Sequence, residues 1–296
     1  MTSASDVLIA ATDFSEPAGL ATERAAALAR GLGWHLRLLH ALGDGDWIER
    51  MAQGLKGEFS IELARRTAGS RLARERERLL EAGVADVDYE VLDGTLPALL
   101  PQLLHEGERG VVVMGAQGET GLRQGLLGST ADRVLRAGAL PVLLARQGGG
   151  QAYRRVALAT DLGEPSLHAA RLGLRLAPGA DFHLLHAIEI PPDRNMAFAH
   201  ARPETREAFH REARELALRR LQVFESALGL AVAPTRAVRE GPPAAVLAAF
   251  VEEAQIDLVV LGSRPRARWE ANLLGSTALF ATHRLGCDVL LVPGVA

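Results

Sequence analysis

The chain is written twice. Gly115-Ala116-Gln117-Gly118, then nine residues, then Gly128-Ser129-Thr130 has its counterpart in Gly262-Ser263-Arg264-Pro265, nine residues, and Gly275-Ser276-Thr277. Other landmarks keep the same offset. Asp13 with Asp161, His40 with His186 and Gly94 with Gly241 each lie 146–148 residues apart. A repeat of half the 296-residue chain is far longer than a solenoid unit, so it marks two domains rather than an array. We expect them at 1–147 and 152–296, joined by the short flexible linker Gln147-Gly148-Gly149-Gly150-Gln151.

Within each copy, apolar runs alternate with helix-patterned segments. The first half carries strand-like runs at Val7–Ala11, His35–Ala41, Val87–Val91, Val111–Met114 and Val142–Ala145. One helix opens at Glu16-Pro17 and stops near Gly31, a long charged one ends near Gly83, and another starts at about Pro97. The second half repeats the order with runs at Val156–Ala159, Phe182–Ala187, Ala233–Val238, Leu258–Leu261 and Val289–Val292. Its helices run to about Leu176, over Glu204–Leu228, and from Pro243. On the long one, Phe209, Ala213, Leu216, Leu221, Phe224 and Leu228 recur at helical spacing and are expected to dock on the sheet. All-apolar strands alternating with helices indicate the α/β class: two tandem open, doubly wound parallel five-stranded sheets, each in the order 3-2-1-4-5.

Composition removes several function classes. A net charge of −3 exerts no strong pull on nucleic acid or an anionic membrane. The Arg/Glu-rich stretch Arg71–Arg78 reads as a solvated helix face, with no aromatic residues interleaved to stack bases. No apolar run approaches the roughly 18 residues that span a bilayer, and the polar start lacks the basic region of a secretory leader. A single cysteine, Cys287, rules out an internal disulfide and fits a reducing compartment. The expectation is a cytoplasmic protein without nucleic-acid or membrane partners.

In open parallel sheets, ligands bind beyond the carboxyl ends of the strands where the strand order reverses. Here that point lies between the first and fourth strands, so Asp13 and Gly115 are the two positions the topology selects. A carboxylate there accepts hydrogen bonds from a ribose hydroxyl or a base amine. Glycines let the backbone approach phosphate oxygens, and Ser129 and Thr130 add hydroxyls at the positive end of a helix. The same residues also fit a plainer reading, since Gly-Ser-Thr is an ordinary helix start and glycines after strands are ordinary turns. Catalysis finds little support: the chain has no Gly-x4-Gly-Lys-Ser/Thr, no Gly-x-Gly-x-x-Gly and no Gly-x-Ser-x-Gly. No catalytic residue and no metal ligand set is assigned. His183 and His186 stand an odd number of residues apart and so point to opposite faces of a strand, while His40 and His186 suit buried, hydrogen-bonded roles. Trp47, Ile48, Met51 and Phe59, with Met196, Phe198 and His200, are expected near the carboxyl rim as lids.

With Asp13-Phe14-Ser15-Glu16, Leu38-Leu39-His40 and the closing Pro141-Val142-Leu143-Leu144 around it, the glycine pattern resembles that of the universal stress proteins (the UspA family), as two tandem copies over essentially the whole chain. The resemblance implies an adenine-nucleotide alpha-hydrolase-like fold and a stress-response regulatory module that binds ATP or AMP, with or without Mg2+. By it, Ala11, Asp13 and Ala41 would border the adenine and ribose. Met114, Gly115, Gln117 and Gly118 would line the base, ribose and first phosphates, and Gly128, Ser129 and Thr130 would hold the phosphate tail. Asp161, Gly262, Gly275, Ser276 and Thr277 are the counterparts in the second copy. The family also implies pairing through the fifth strand, as a pseudo-dimer within one chain or as a homodimer.

The second copy departs from the pattern. Pro265 replaces the second glycine, removing an N–H and fixing φ near −65°. One lost donor to a charged group costs roughly ten- to a hundredfold in affinity. Arg264, Arg266 and Arg268 offer charge in exchange, yet surface arginines are usually just solvated. Nucleotide binding is therefore expected mainly in the first copy. Two alternatives stay open: a scaffold binding another ligand or partner, and a slow ATPase.

Overall fold

The computed structural model describes residues 5–43, 61–117, 127–147, 149–190, 202–230, 232–263 and 274–294. The main division of the chain into two compact units follows Ala152. In the first unit, β1 (Ser5–Ala11), β2 (His35–Ala41), β3 (Val87–Leu92), β4 (Glu108–Gly115) and β5 (Val142–Ala145) stand in the expected order β3-β2-β1-β4-β5. Every pairing among them is parallel, and the register places Ile9 between Arg37 and Val112. Leu8, Ile9, Ala10, Val112 and Val113 have no exposed surface, so the central strands are covered on both faces and show no polar alternation.

The covering helices are α1 (Glu16–Leu32), α2 (Ile61–Glu81), the single turn α3 (Leu96–Leu99) and α4 (Ser129–Ala137). Local chemistry starts and stops α1. The Ser15 hydroxyl accepts from the Ala18 N–H, Pro17 sits in the first turn, and Gly33 closes the helix with φ +66°, its N–H returning to Ala29 C=O. The helix expected from Pro97 is cut to α3 plus a 3-10 turn at Leu100–Gln102. Pro101 is the cause: it lacks the N–H that a continuing helix needs, and its ring would collide with the carbonyl four residues back.

β4 begins three residues before the apolar run. Its ladder pairs Ser5 with Glu108 and Asp6 with Arg109, and Arg109 Nε lies 3.2 Å from Asp6 Oδ1. Arg37 occupies what looks like the solvent position of an alternating strand, yet it is 6% exposed. Its guanidinium meets Asp88 at 3.2 Å, Glu108 at 3.3 Å and the Leu103 carbonyl at 3.0 Å, so the buried charge is fully engaged.

The second unit has β6 (Arg155–Ala159), β7 (Asp181–Ile188), β8 (Thr235–Glu240), β9 (Leu258–Ser263) and β10 (Asp288–Pro293), in the order β8-β7-β6-β9-β10. Its helices are α5 (Glu164–Leu176), α6 (Pro203–Leu228), α7 (Pro243–Glu253) and α8 (Ser276–Arg284). Here α7 keeps its length, because no proline interrupts it after Pro243. On α6 the docked face is narrower than the apolar spacing indicates. Ala217, Leu221 and Phe224 are buried, whereas Phe209 and Leu216 are 44% and 43% exposed. Cys287 is buried. Among the described residues no helix is long and apolar enough to cross a membrane. Trp47, Ile48, Met51, Phe59, Met196, Phe198 and His200 lie outside the described residues.

Candidate functional site

The turn that follows β1 is built from its own side chains. The Phe14 N–H donates to Thr12 Oγ1 at 3.0 Å, and Asp13 Oδ1 accepts from the Ser15 N–H at 3.0 Å and the Ser15 hydroxyl at 2.5 Å. These bonds hold Phe14 at φ +64°, a conformation that costs a non-glycine residue roughly 1–2 kcal/mol. The second unit repeats the device. Leu162 sits at φ +66° with its N–H on Thr160 Oγ1 at 2.8 Å, and Asp161 Oδ1 accepts from the Gly163 N–H and the Ser166 hydroxyl. A turn strained the same way in both copies gives the aspartate a set position beyond the sheet. Asp13 is exposed there, and among the described residues only its Oδ1 is engaged.

His40, at the end of β2, braces this turn. Its Nδ1–H donates to the Thr12 carbonyl at 2.8 Å, and its ring stacks on Phe14 at 4.7 Å, with Arg71 of α2 on Phe14 at 4.0 Å. His186 makes the same 2.8 Å bond to the Thr160 carbonyl. Burial pushes the His40 imidazole below its ordinary range, outweighing the Thr12 carbonyl and Asp13, which favour the cation. Below about pH 6.5 the unfolded chain therefore binds more protons than the folded one, and stability falls as the pH drops through that region. Unfolding free energies from urea titrations between pH 7 and pH 5 should fall more steeply for the wild type than for His40→Gln, by up to ~1.4 kcal/mol per pH unit. Equal slopes would remove His40 from this role.

Gly115 ends β4, and its lack of a side chain is demanded by protein, not by ligand. A Cβ there would stand 2.8 Å from the carbonyl carbon and oxygen of Pro17, in the first turn of α1. Gly262 is tighter still, with a Cβ falling 2.4 Å from Pro165 O and 2.7 Å from Ser166 N of α5. The first glycine of each motif thus lets a helix start close over a strand end.

Beyond Gly115, the Ala116 N–H donates to the Ala145 carbonyl at 3.3 Å, and the Gly128 N–H donates to the Ala116 carbonyl at 2.8 Å. Gly128 then caps α4 without a side-chain bond, and the first intrahelical bond runs from Asp132 N–H to Gly128 C=O at 2.9 Å. The amides of Ser129, Thr130 and Ala131 precede that bond and are the orphan donors of the helix start. They, rather than Gly128, present N–H groups beyond the sheet. Gly275 plays the same part for α8, accepting from the Leu279 N–H at 2.8 Å, with Ser276 and Thr277 as its first residues. Gly118 and Pro265 lie outside the described residues.

These pieces surround one cleft of about 380 Å³, within the range of small-molecule sites. Ala11, Asp13, Ala41, Met114, Gly115, Gln117, Gly128, Ser129 and Thr130 all line it. Residues that sequence reasoning passed over join them: Thr12, Thr95, Leu39, Gly43 and Arg133. Thr95 caps α3 with no side-chain cap bond, leaving its hydroxyl to the cleft. The only signal for it was its place beside Gly94, whose φ of +113° and bridge to Gly43 draw the ends of β2 and β3 together. Arg133 lies on the exposed side of α4, and among the described residues Asp13 and Arg133 are the two charged ones of the lining. At equivalent positions the second repeat has Glu189 for Gly43 and Phe280 for Arg133. Among the described residues no group of three or more His, Cys, Asp or Glu side chains is placed to hold a metal.

Comparison with known proteins agrees with this architecture. The family model of the universal stress proteins matches residues 5–146 and again 152–293. A universal stress protein of Methanocaldococcus jannaschii is 25% identical over 146 residues, covering 49% of this chain and 84% of the relative. A universal stress protein E homolog of Haemophilus influenzae is 26% identical over 166 residues, 53% of this chain and 53% of the relative, so the match spans about half of it. The solved structure of a universal stress protein from Archaeoglobus fulgidus superposes with a TM-score of 0.67 at 17% identity, over 97% of this chain and 98% of that one. A functionally unknown protein from Pseudomonas aeruginosa superposes at 0.65 with 22% identity, over 97% and 92% of the two chains. Fold and family model coincide over both repeats, and the chain belongs to the universal stress protein family, carrying its domain twice in tandem.

Proposed function

We propose that the first unit binds an adenine nucleotide, ATP or AMP, and that the chain serves stress response as a nucleotide-dependent regulatory module rather than as an efficient enzyme. The observation that carries this reading is the polarity of the cleft. Asp13 stands at the end of β1, the orphan amides of α4 and Arg133 stand beyond β4, and Ala11, Leu39 and Met114 supply apolar wall between. That order suits a nucleotide: hydroxyls to the carboxylate, a flat base on the apolar wall, phosphates to the amides and the guanidinium. The choice of adenine among the bases rests on the family resemblance. A protein-held Mg2+ does not fit the described lining well, because among the described residues Asp13 is its one carboxylate and its Oδ1 is committed to Ser15; Mg2+ would arrive with the phosphates.

The second unit is assigned a different occupant or none. It keeps the Asp161 turn but sets Glu189 and Phe280 where the first unit has Gly43 and Arg133, adding a negative charge and removing a positive one. Both changes oppose a phosphate tail. Calorimetric titration of the full chain with ATP and AMP should find close to one nucleotide per chain, with Asp13→Asn weakening both. No binding at millimolar nucleotide, or two equal sites, would overturn this assignment. Phosphate release well above a no-protein control would favour the ATPase alternative instead.

A further inference from the structure

The ring of Phe14 is clamped from two directions. It stacks on the His40 imidazole with centroids 4.7 Å apart and planes inclined by 29°, and the Arg71 guanidinium of α2 stands 4.0 Å from its centroid. Two groups that near cannot share one face, so the ring lies between an imidazole and a cation. His40 is itself held by its 2.8 Å bond to the Thr12 carbonyl. Helix α2 docks through Ala68, Leu72 and Leu79, and Arg71 beside them is exposed, so the core does not require it. Asp13, the residue before Phe14, is among the described residues that line the cleft, whereas Phe14, His40 and Arg71 are not. The second unit keeps the turn without the clamp. Leu162 sits at φ +66° there, and its aliphatic side chain offers no ring face to an imidazole or a cation.

We propose that Arg71 is a positioning residue for Asp13: through the Phe14 ring it holds the turn after β1 in its strained form, and so keeps the carboxylate where a ribose hydroxyl would meet it. The left-handed φ of Phe14 needs such support. The bonds that close the turn are weak sources of it, because the Phe14 N–H to Thr12 Oγ1 bond is only half-buried and the Ser15 N–H to Asp13 Oδ1 bond is exposed to water. A cation over a ring face shifts an equilibrium by about threefold to thirtyfold. Ligand affinity falls with the fraction of molecules whose turn is closed, so the Arg71 contact and the ligand favour each other. The effect on ligand rests on the nucleotide reading of the cleft; the hold on the turn does not.

Amide exchange in the free full-length protein, followed by NMR, measures the turn directly, since the Phe14 and Ser15 N–H groups close it. Arg71→Gln is expected to speed both by about threefold to thirtyfold, and Arg71→Lys, which keeps a cation near the ring, by less. Phe14→Leu gives the turn the side chain that its second-unit counterpart already carries at the same φ. In that background Arg71→Gln should change nothing further. Calorimetric titration with adenosine and with ATP then tests the consequence. Both should lose affinity on Arg71→Gln by the same factor, about threefold or more, because Asp13 would meet the ribose they share. Added to Asp13→Asn, the same substitution should cost little more, as expected of two residues acting in series. Unchanged exchange, an undiminished effect in the Phe14→Leu background, or a loss confined to ATP would each overturn the proposal, the last by showing that Arg71 acts on phosphate as a charge. A wild type that binds neither adenosine nor ATP would overturn the nucleotide reading instead, and the exchange rates would still decide whether Arg71 holds the turn.

Discussion

Gly262→Ala is expected to lower the unfolding midpoint sharply, with a loss of ~1–3 kcal/mol or somewhat more. The added methyl would fall 2.4 Å from Pro165 O, 2.5 Å from Pro165 C and 2.7 Å from Ser166 N. These are backbone atoms in the first turn of α5, so no side chain can swing aside to make room. Relief requires the helix start to lift from the end of β9, and that segment also carries Ser166, which bonds Asp161 at 2.7 Å. Gly115→Ala should do the same in the first unit to a smaller degree, since its nearest approach to Pro17 is 2.8 Å. Urea unfolding without nucleotide separates this from a ligand-contact role, which would leave the free protein unchanged. Two variants that unfold at the wild-type midpoint would show that the helix starts yield freely.

Arg133→Gln is expected to weaken ATP binding by roughly ten- to a hundredfold while leaving adenosine almost untouched. A hydrogen bond to a charged group contributes about 1.5–3 kcal/mol, and adenosine has no phosphate to lose it. The contact is exposed enough to be screened, so wild-type affinity for ATP should fall with salt more steeply than that of the variant. Thr130→Val is expected to act in the same direction with a smaller effect, because a neutral hydroxyl is lost and the amide donors remain. Equal losses for adenosine and ATP on Arg133→Gln would mean the residue shapes the cleft and does not read phosphate. Retention of ATP affinity would remove it from the site.

Much of this molecule was legible before folding because it depends on short-range pattern. Apolar runs of strand length and helix starts such as Glu16-Pro17 are decided by neighbours in the chain, so element order and sheet order followed, twice, at a constant offset, while the stop of α1 falls at Gly33, two residues past the expected Gly31. Strand ends were less legible: the polar register pairs Asp6–Arg109 and Ser5–Glu108 extend a ladder that apolar content alone does not reveal. The meaning of individual residues depended on what lies across space. Arg37 reads as a surface residue until Asp88 and Glu108 close around it. Phe209 and Leu216 read as core until the docking face of α6 settles on Leu221 and Phe224. Gly115 and Gly262 read as ligand-facing, yet their nearest neighbours are prolines from a distant turn of chain.

By itself the sequence determined that two α/β domains would form and that Asp13 and the Gly128-Ser129-Thr130 segment would stand past strand ends at the reversal of strand order, since both follow from local propensity and connectivity. Tertiary structure alone decided that Arg133 and Thr95 join them around one cleft, and that Gly128 gives its amide to Ala116 while Ser129, Thr130 and Ala131 hold the orphan donors of α4. The reason is physical: which groups meet, and which hydrogen bonds remain unmade, is set by packing between segments far apart in the chain, and no local period encodes it.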